Sequence, residues 1–153
     1  MPKVRQIINP DEKERVCREM LAEMPEITER RSPEEYAADC RMLPMWADID
    51  ENVLRGFTVL KETSPCAAEV LALGVKPEFQ RHKIGKSLFT ALLNYARRQG
   101  YEYIQVKSVK TGVSPVYDSA NIFYESLGFR ELEILPLWGD SLPCQVYIRN
   151  VNY

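Results

Sequence analysis

A single histidine and four scattered cysteines leave this 153-residue chain short of soft metal ligands. Cys17, Cys40, Cys66 and Cys144 are widely spaced and form no CxxC pair, so no metal site is expected. They read as reduced, mostly buried thiols of a cytoplasmic protein. An excess of one charge is missing too. The 20 basic and 22 acidic residues give a net charge of −2, which offers no global attraction to nucleic acid or to an anionic membrane surface. No apolar run approaches the ~20 residues of a membrane span, and the N-terminal stretch lacks the apolar segment of a signal peptide. Repeats and low-complexity linkers are absent as well. What is present is a 45% hydrophobic share, enough for a real core, in a length that suits a single domain over residues 1–153.

The pattern along the chain is mixed α/β. Val4 to Ile8 reads as a strand. Asn9-Pro10-Asp11 opens a helix to about Glu23, with Val16, Met20, Leu21 and Met24 as its apolar stripe. Ser32-Pro33-Glu34-Glu35 is a second helix start: an N-cap serine, proline in the first turn, and glutamate in the capping-box position. Trp46 to Asp50 and Leu54 to Lys61 form a hairpin through Glu51-Asn52. After a turn at Ser64-Pro65, AAEVLALGV (67–75) is nearly all apolar, as a central strand should be. An amphipathic helix from about Lys86 to Gln99, capped by Gly100, precedes a strand from Tyr101 to Val109. A short helix from Asp118 to Leu127 and strands at Arg130–Leu135 and Gln145–Val151 complete the order.

Chemistry concentrates at QRHKIGKS, Gln80 to Ser87. Its GKS ending is shared with nucleotide-binding P-loops, but the pattern GxxxxGK[ST] needs glycine where Gln80 stands, and none lies between Gly74 and Gly85. The P-loop reading fails. A strand, a short turn and a helix start remain. Unpaired N–H groups at a helix start converge on one spot, and the helix dipole adds positive charge, so an anion such as pyrophosphate fits there. Lys76, Arg81, Lys83 and Lys86 against Glu78 make the stretch locally +3. A solvated basic loop capping a helix would look the same.

The stretch LGVKPEFQRHKIGKSLF resembles the signature motif of the GCN5-related N-acetyltransferases (GNAT), with its [Q/R]xxGx[G/A] turn. About forty residues on, SANIFYESLGF resembles the second family signature, a helix ending in YE-x-x-GF. The resemblance covers nearly the whole chain. It implies an α/β (mixed), GNAT-like acyl-CoA N-acyltransferase fold: a twisted mixed sheet of six to seven strands flanked by about four helices. Two central parallel strands, 67–75 and 101–109 by position, are implied to splay around acetyl-CoA (coenzyme A). Gly74, inside the first, suggests a bulge or a close approach. By the same resemblance the backbone at Leu73 and Val75 would pair with the pantetheine arm. Gln80, Arg81, His82, Lys83, Ile84, Gly85 and Lys86 would hold the pyrophosphate. The first motif glycine falls at Lys83, where a left-handed backbone would cost about 1–2 kcal/mol. The asparagine that many members carry in the second signature falls at Tyr117. Asn121 is a cofactor contact or serves the first turn of its own helix.

Transfer of an acetyl group to a primary amine needs a base for the amine proton, polarisation of the thioester and a proton for the leaving thiolate. No covalent intermediate is required, so no nucleophilic cysteine is sought. Glu69 interrupts an otherwise apolar strand, and an apolar cleft brings a carboxylate toward the range of a general base. Histone-acetylating members of the family carry their base at the same offset. The alternative is that Glu69 lies at the exposed strand start or pairs with a lysine. Tyr124 stands where a family tyrosine protonates the thiolate; otherwise it is a core tyrosine with one hydrogen-bond partner. His82 reads as a phosphate or adenine contact, and Trp138 as a loop anchor or a wall of the acceptor pocket. The resemblance thus implies an acetyl-CoA-dependent N-acetyltransferase acting by direct, ternary-complex attack on a small-molecule or peptide amine. The alternative is an acyl-CoA-binding regulatory module without efficient catalysis. Monomer and homodimer both stay open.

Overall fold

A computed structural model describes residues 3–29 and 31–152. The strands are β1 (Val4–Ile7), β2 (Met45–Asp50), β3 (Val53–Ser64), β4 (Ala67–Val75), β5 (Tyr103–Val109), β6 (Arg130–Leu135) and β7 (Cys144–Asn150). The α-helices are α1 (Pro10–Ala22), α2 (Pro33–Cys40), α3 (Ile84–Gln99) and α4 (Pro115–Ser126). The strands lie in one mixed sheet in the order β1-β2-β3-β4-β5-β7-β6. The mixed α/β architecture expected from the sequence is the one observed.

The local causes are those the sequence carries. Asn9 Oδ1 accepts from the amides of Asp11 (2.8 Å) and Glu12 (3.1 Å), and Pro10 follows as the first residue of α1. Ser32 Oγ accepts from Glu35 N at 3.2 Å to cap α2. Glu51 and Asn52 form a two-residue hairpin loop with φ of 50° and 67°. Positive φ at both positions is what a type I′ turn requires, and asparagine tolerates it well. Short 3₁₀ turns at Pro25–Glu29 and Pro77–Phe79 were not legible as periodic segments.

The contacts divide the chain into two compact units: Met1–Lys61 with Leu71–Tyr95, and Glu62–Val70 with Ala96–Tyr153. In the first, β1–β2 and β2–β3 are antiparallel, and α1 and α2 pack together. Its core includes Ile7, Cys17, Met20, Ala37, Cys40, Met45, Phe57 and Val59, all fully buried. In the second, Ala67–Val70 pair in parallel with Tyr103–Val106, and β7 is antiparallel to both β5 and β6. The β6–β7 ladder shifts register between Glu131 and Glu133.

Candidate active site

In the first unit, β4 runs to Val75 and hands over to a tightly tied turn. Lys76 N donates to Arg55 O at 2.8 Å, Phe79 N to Lys76 O at 2.9 Å, and Gln80 Nε2 to Val75 O at 3.2 Å. Arg81 and Lys83, with φ of 70° and 62°, are left-handed on either side of His82. The left-handed backbone expected at Lys83 is therefore present, and Arg81 shares it. Each such residue costs about 1–2 kcal/mol in an L-residue, and backbone that turns in this way aims successive amides at one point. α3 then begins at Ile84, two residues before the position read from the periodicity. Its first backbone bond of this turn is Ser87 N to Lys83 O at 3.1 Å, so the amides just ahead of Ser87 have no acceptor inside the helix.

The side chains of this loop divide. Gln80, Arg81, His82, Lys83 and Lys86 are exposed, whereas Ile84 is buried and offers only its amide. Gly85 is partly buried in the first turn of α3 and is not left-handed. Lys76, counted with the basic set in the sequence, is only 8% exposed and pairs with Glu19 of α1. It ties β4 to α1 instead of facing an anion. Arg55, whose carbonyl receives Lys76, is itself held by the buried Asp48 carboxylate and lies over the Phe79 ring, 5.8 Å from its centroid. The close approach expected at Gly74 is made by a side chain: a Cβ added there would collide with Sδ and Cε of Met24. Leu73 and Val75, on either side, are half-buried.

In the second unit, Glu69 is 8% exposed, consistent with the expected burial. It is not surrounded only by apolar groups, however. Lys107 Nζ donates to Glu69 Oε1 at 3.0 Å. Glu69 stands opposite Gln105 in the parallel register, so Lys107 lies two residues further along β5. The lysine partner named as the alternative is thus present.

Asn121 of α4 is 1% exposed and turned inward. Its Nδ2 donates to Val109 O (2.8 Å) and Thr111 Oγ1 (3.1 Å), fastening α4 to the end of β5. Among the described residues its Oδ1 is buried without a hydrogen bond, a cost of about 1–3 kcal/mol. Tyr124 is half-buried in an aromatic cluster with Phe123 (5.8 Å between centroids), Phe129 (5.9 Å) and Tyr147 (6.4 Å). Burial pushes the Tyr147 phenol up, opposed by a hydrogen bond from Thr111. Tyr117 is buried, and Trp138 is half-buried in the β6–β7 loop.

Lys107, Tyr147 and Gly56 were not singled out from the sequence. Lys107 had a signal: it interrupts β5 as Glu69 interrupts β4, with the opposite charge. Cys17, Cys40 and Cys144 are buried and Cys66 is exposed. A hydrogen bond to Cys17, together with burial, pushes the Cys40 thiol far above its ordinary range, which makes it a poor nucleophile. Among the described residues, no three His, Cys, Asp or Glu side chains are grouped to hold a metal, and no helix is long and apolar enough to cross a membrane.

Residues 43–131 match the profile of the acetyltransferase (GNAT) domain, more than half of the chain. The chain belongs to the GNAT acetyltransferase family. Over 65 residues the chain is 38% identical to an uncharacterized N-acetyltransferase of Dictyostelium discoideum. That stretch covers 42% of this chain and 28% of the Dictyostelium protein. Among solved structures, an aminoglycoside 6′-N-acetyltransferase complexed with coenzyme A superposes with a TM-score of 0.77 at 17% identity, over 98% of this chain and 97% of that one. An IAA acetyltransferase from Bacillus cereus gives 0.74 at 18% identity, over 96% and 97%. These likenesses establish the GNAT fold.

Proposed function

We propose that this GNAT-family chain transfers the acetyl group of acetyl-CoA to a primary amine, small molecule or peptide, by direct attack in a ternary complex. The observation that carries the reading is the Gln80–Lys86 turn. Two left-handed residues, a helix start and four exposed basic or imidazole side chains (Arg81, His82, Lys83 and Lys86) converge there. This donor set suits a pyrophosphate. In this reading the amides from Arg81 to Lys86 grip the pyrophosphate, Gln80 braces the turn through Val75 O, and the backbone of Leu73 and Val75 pairs with the pantetheine arm. Asn121 acts through the placement of α4, since its Nδ2 hydrogen bonds to Val109 O and Thr111 Oγ1 point into the protein.

Acetyl-CoA supplies an activated thioester carbonyl. Glu69 accepts the proton of the attacking amine as the N–C bond forms, and Tyr124 donates a proton to the thiolate as the C–S bond breaks. The proton returns from Glu69 to Tyr124 through solvent, leaving both as they began. The four free thiols fit the reducing cytoplasm proposed as its compartment. One observation favours the second reading, an acyl-CoA-binding regulatory module: the Glu69 carboxylate is already engaged by Lys107.

The deciding experiment follows thiol release from acetyl-CoA against amines, amino acids, aminoglycosides, polyamines and peptides. Turnover with at least one amine is expected. Glu69→Gln should then slow it by about 10²–10⁴-fold, and Tyr124→Phe by a factor near the lower end of that range. Acetyl-CoA binding without turnover on any amine would establish the module instead.

A further inference from the structure

We infer that Lys107 is a positioning residue for the proposed reaction: its ammonium fixes Oε1 of Glu69 and thereby presents Oε2 to the acceptor amine. The inference rests on the reading of Glu69 as the base. Its ground is the geometry of β4 and β5. With Glu69 opposite Gln105, residue 107 lies on the same face of β5 one step along the strand. A diagonal neighbour at this spacing is within reach of a long side chain, and Lys107 makes that reach at 3.0 Å.

The pair is not a surface ornament. The side chains of Lys107 and Glu69 retain 24% and 10% of their exposure. Ion pairs withdrawn from water in this way add little net stability, because desolvation offsets the attraction. What they do impose is orientation. A glutamate has three side-chain torsions, and a base serves only when its oxygen stands within hydrogen-bond reach of the proton it takes. Lys107 removes that freedom through one oxygen and leaves the other to the substrate. It need not touch the acceptor to matter.

Steady-state kinetics of the whole chain, with acetyl-CoA and the best amine of the screen above, test this in a double-mutant cycle. Lys107→Gln keeps an N–H donor but not the reach or the charge. It should lower kcat by about 10–100-fold, the usual scale for a residue that orients a functional group, with KM for acetyl-CoA unchanged. Lys107→Arg should lose less than about tenfold. In a Glu69→Gln background, Lys107→Gln should cost nothing further, because the group it orients is gone. Should Lys107→Gln fail to fold, Lys107→Met, which keeps the length of the side chain without its donor, carries the same comparison. A Lys107→Gln variant that changes only the thermal midpoint overturns the inference, as does an equal fall in kcat in the Glu69→Gln background. The two readings separate cleanly. Parent-like turnover of Glu69→Gln removes the base itself, whereas slow Glu69→Gln beside parent-like Lys107→Gln removes only the positioning role.

Discussion

The carbonyl oxygen of Gly74 lies 2.9 Å from the point where a Cβ on Gly56 would stand. Leu88 Cδ1 and Ile84 Cγ2 follow at 3.0 and 3.3 Å, so β3, β4 and the first turns of α3 meet over a residue with no side chain. Gly56→Ala must therefore push against backbone as well as side chains. Overpacking of this kind costs about 1–3 kcal/mol, and the displaced element carries the turn proposed to hold the pyrophosphate. The variant should unfold at lower urea and require more acetyl-CoA for the same thermal shift. A parent-like midpoint would show that α3 yields freely.

Lys83 offers a change of the opposite sign. Its φ of 62° is one that glycine adopts without a steric penalty. Lys83→Gly should raise the stability by about 0.5–1 kcal/mol, the left-handed cost less the added flexibility of the unfolded chain. Lys83→Val should lower it. Urea midpoints at constant m-value decide, and a destabilised glycine variant would mean that the lysine side chain stabilises the loop by more than the strain.

The thiols give a chemical check on burial. Cys66 is exposed in the β3–β4 turn, while Cys17, Cys40 and Cys144 are buried. A native sample should react rapidly with a disulfide reagent at one thiol per chain, and at all four once denatured. Rapid reaction of a second thiol would point to opening around α1 and α2 if it is Cys17 or Cys40, and at the start of β7 if it is Cys144.

Acid should loosen those same helices. Hydrogen bonds from Arg18 and then Arg41 hold the Glu14 carboxyl below its ordinary value. A carboxylate depressed in the folded state binds fewer protons there than when unfolded, so its contribution is present above about pH 4.3 and fades as pH falls further. Lys3 does the same for Asp50. The stability of Glu14→Gln should therefore decline less steeply below pH 4 than that of the parent.

The sequence displayed what depends on neighbours in the chain. Asn9 and Ser32 announced their helices because a cap acts on amides two or three residues away, and the nearly all-apolar run 67–75 coincides with β4. The start of α4 was placed three residues late, at Asp118. Ser114-Pro115 carries the same signal as Ser32-Pro33, but apolar spacing was followed there instead. The Glu69–Lys107 bond and the Gly56–Gly74 approach lie beyond such reading. The first depends on the register of two strands whose paired residues are 38 apart, and the second on three segments converging. Local pattern fixes neither.

The register shift in β6 bears on how copies of the molecule meet. β6 is the outermost strand beside β7, and Leu132 and Ile134 are 54% and 49% exposed. A straight, uncharged rim at such a place would be a template on which a second chain can extend the ladder. The extra residue at Leu132 breaks the even spacing of the outward amides, and Arg130, Glu131 and Glu133 add charge along the same rim. Excising Leu132 would leave the interior untouched and restore an unbroken ladder. Loss of solubility, and not of folding, is the expected consequence of that excision.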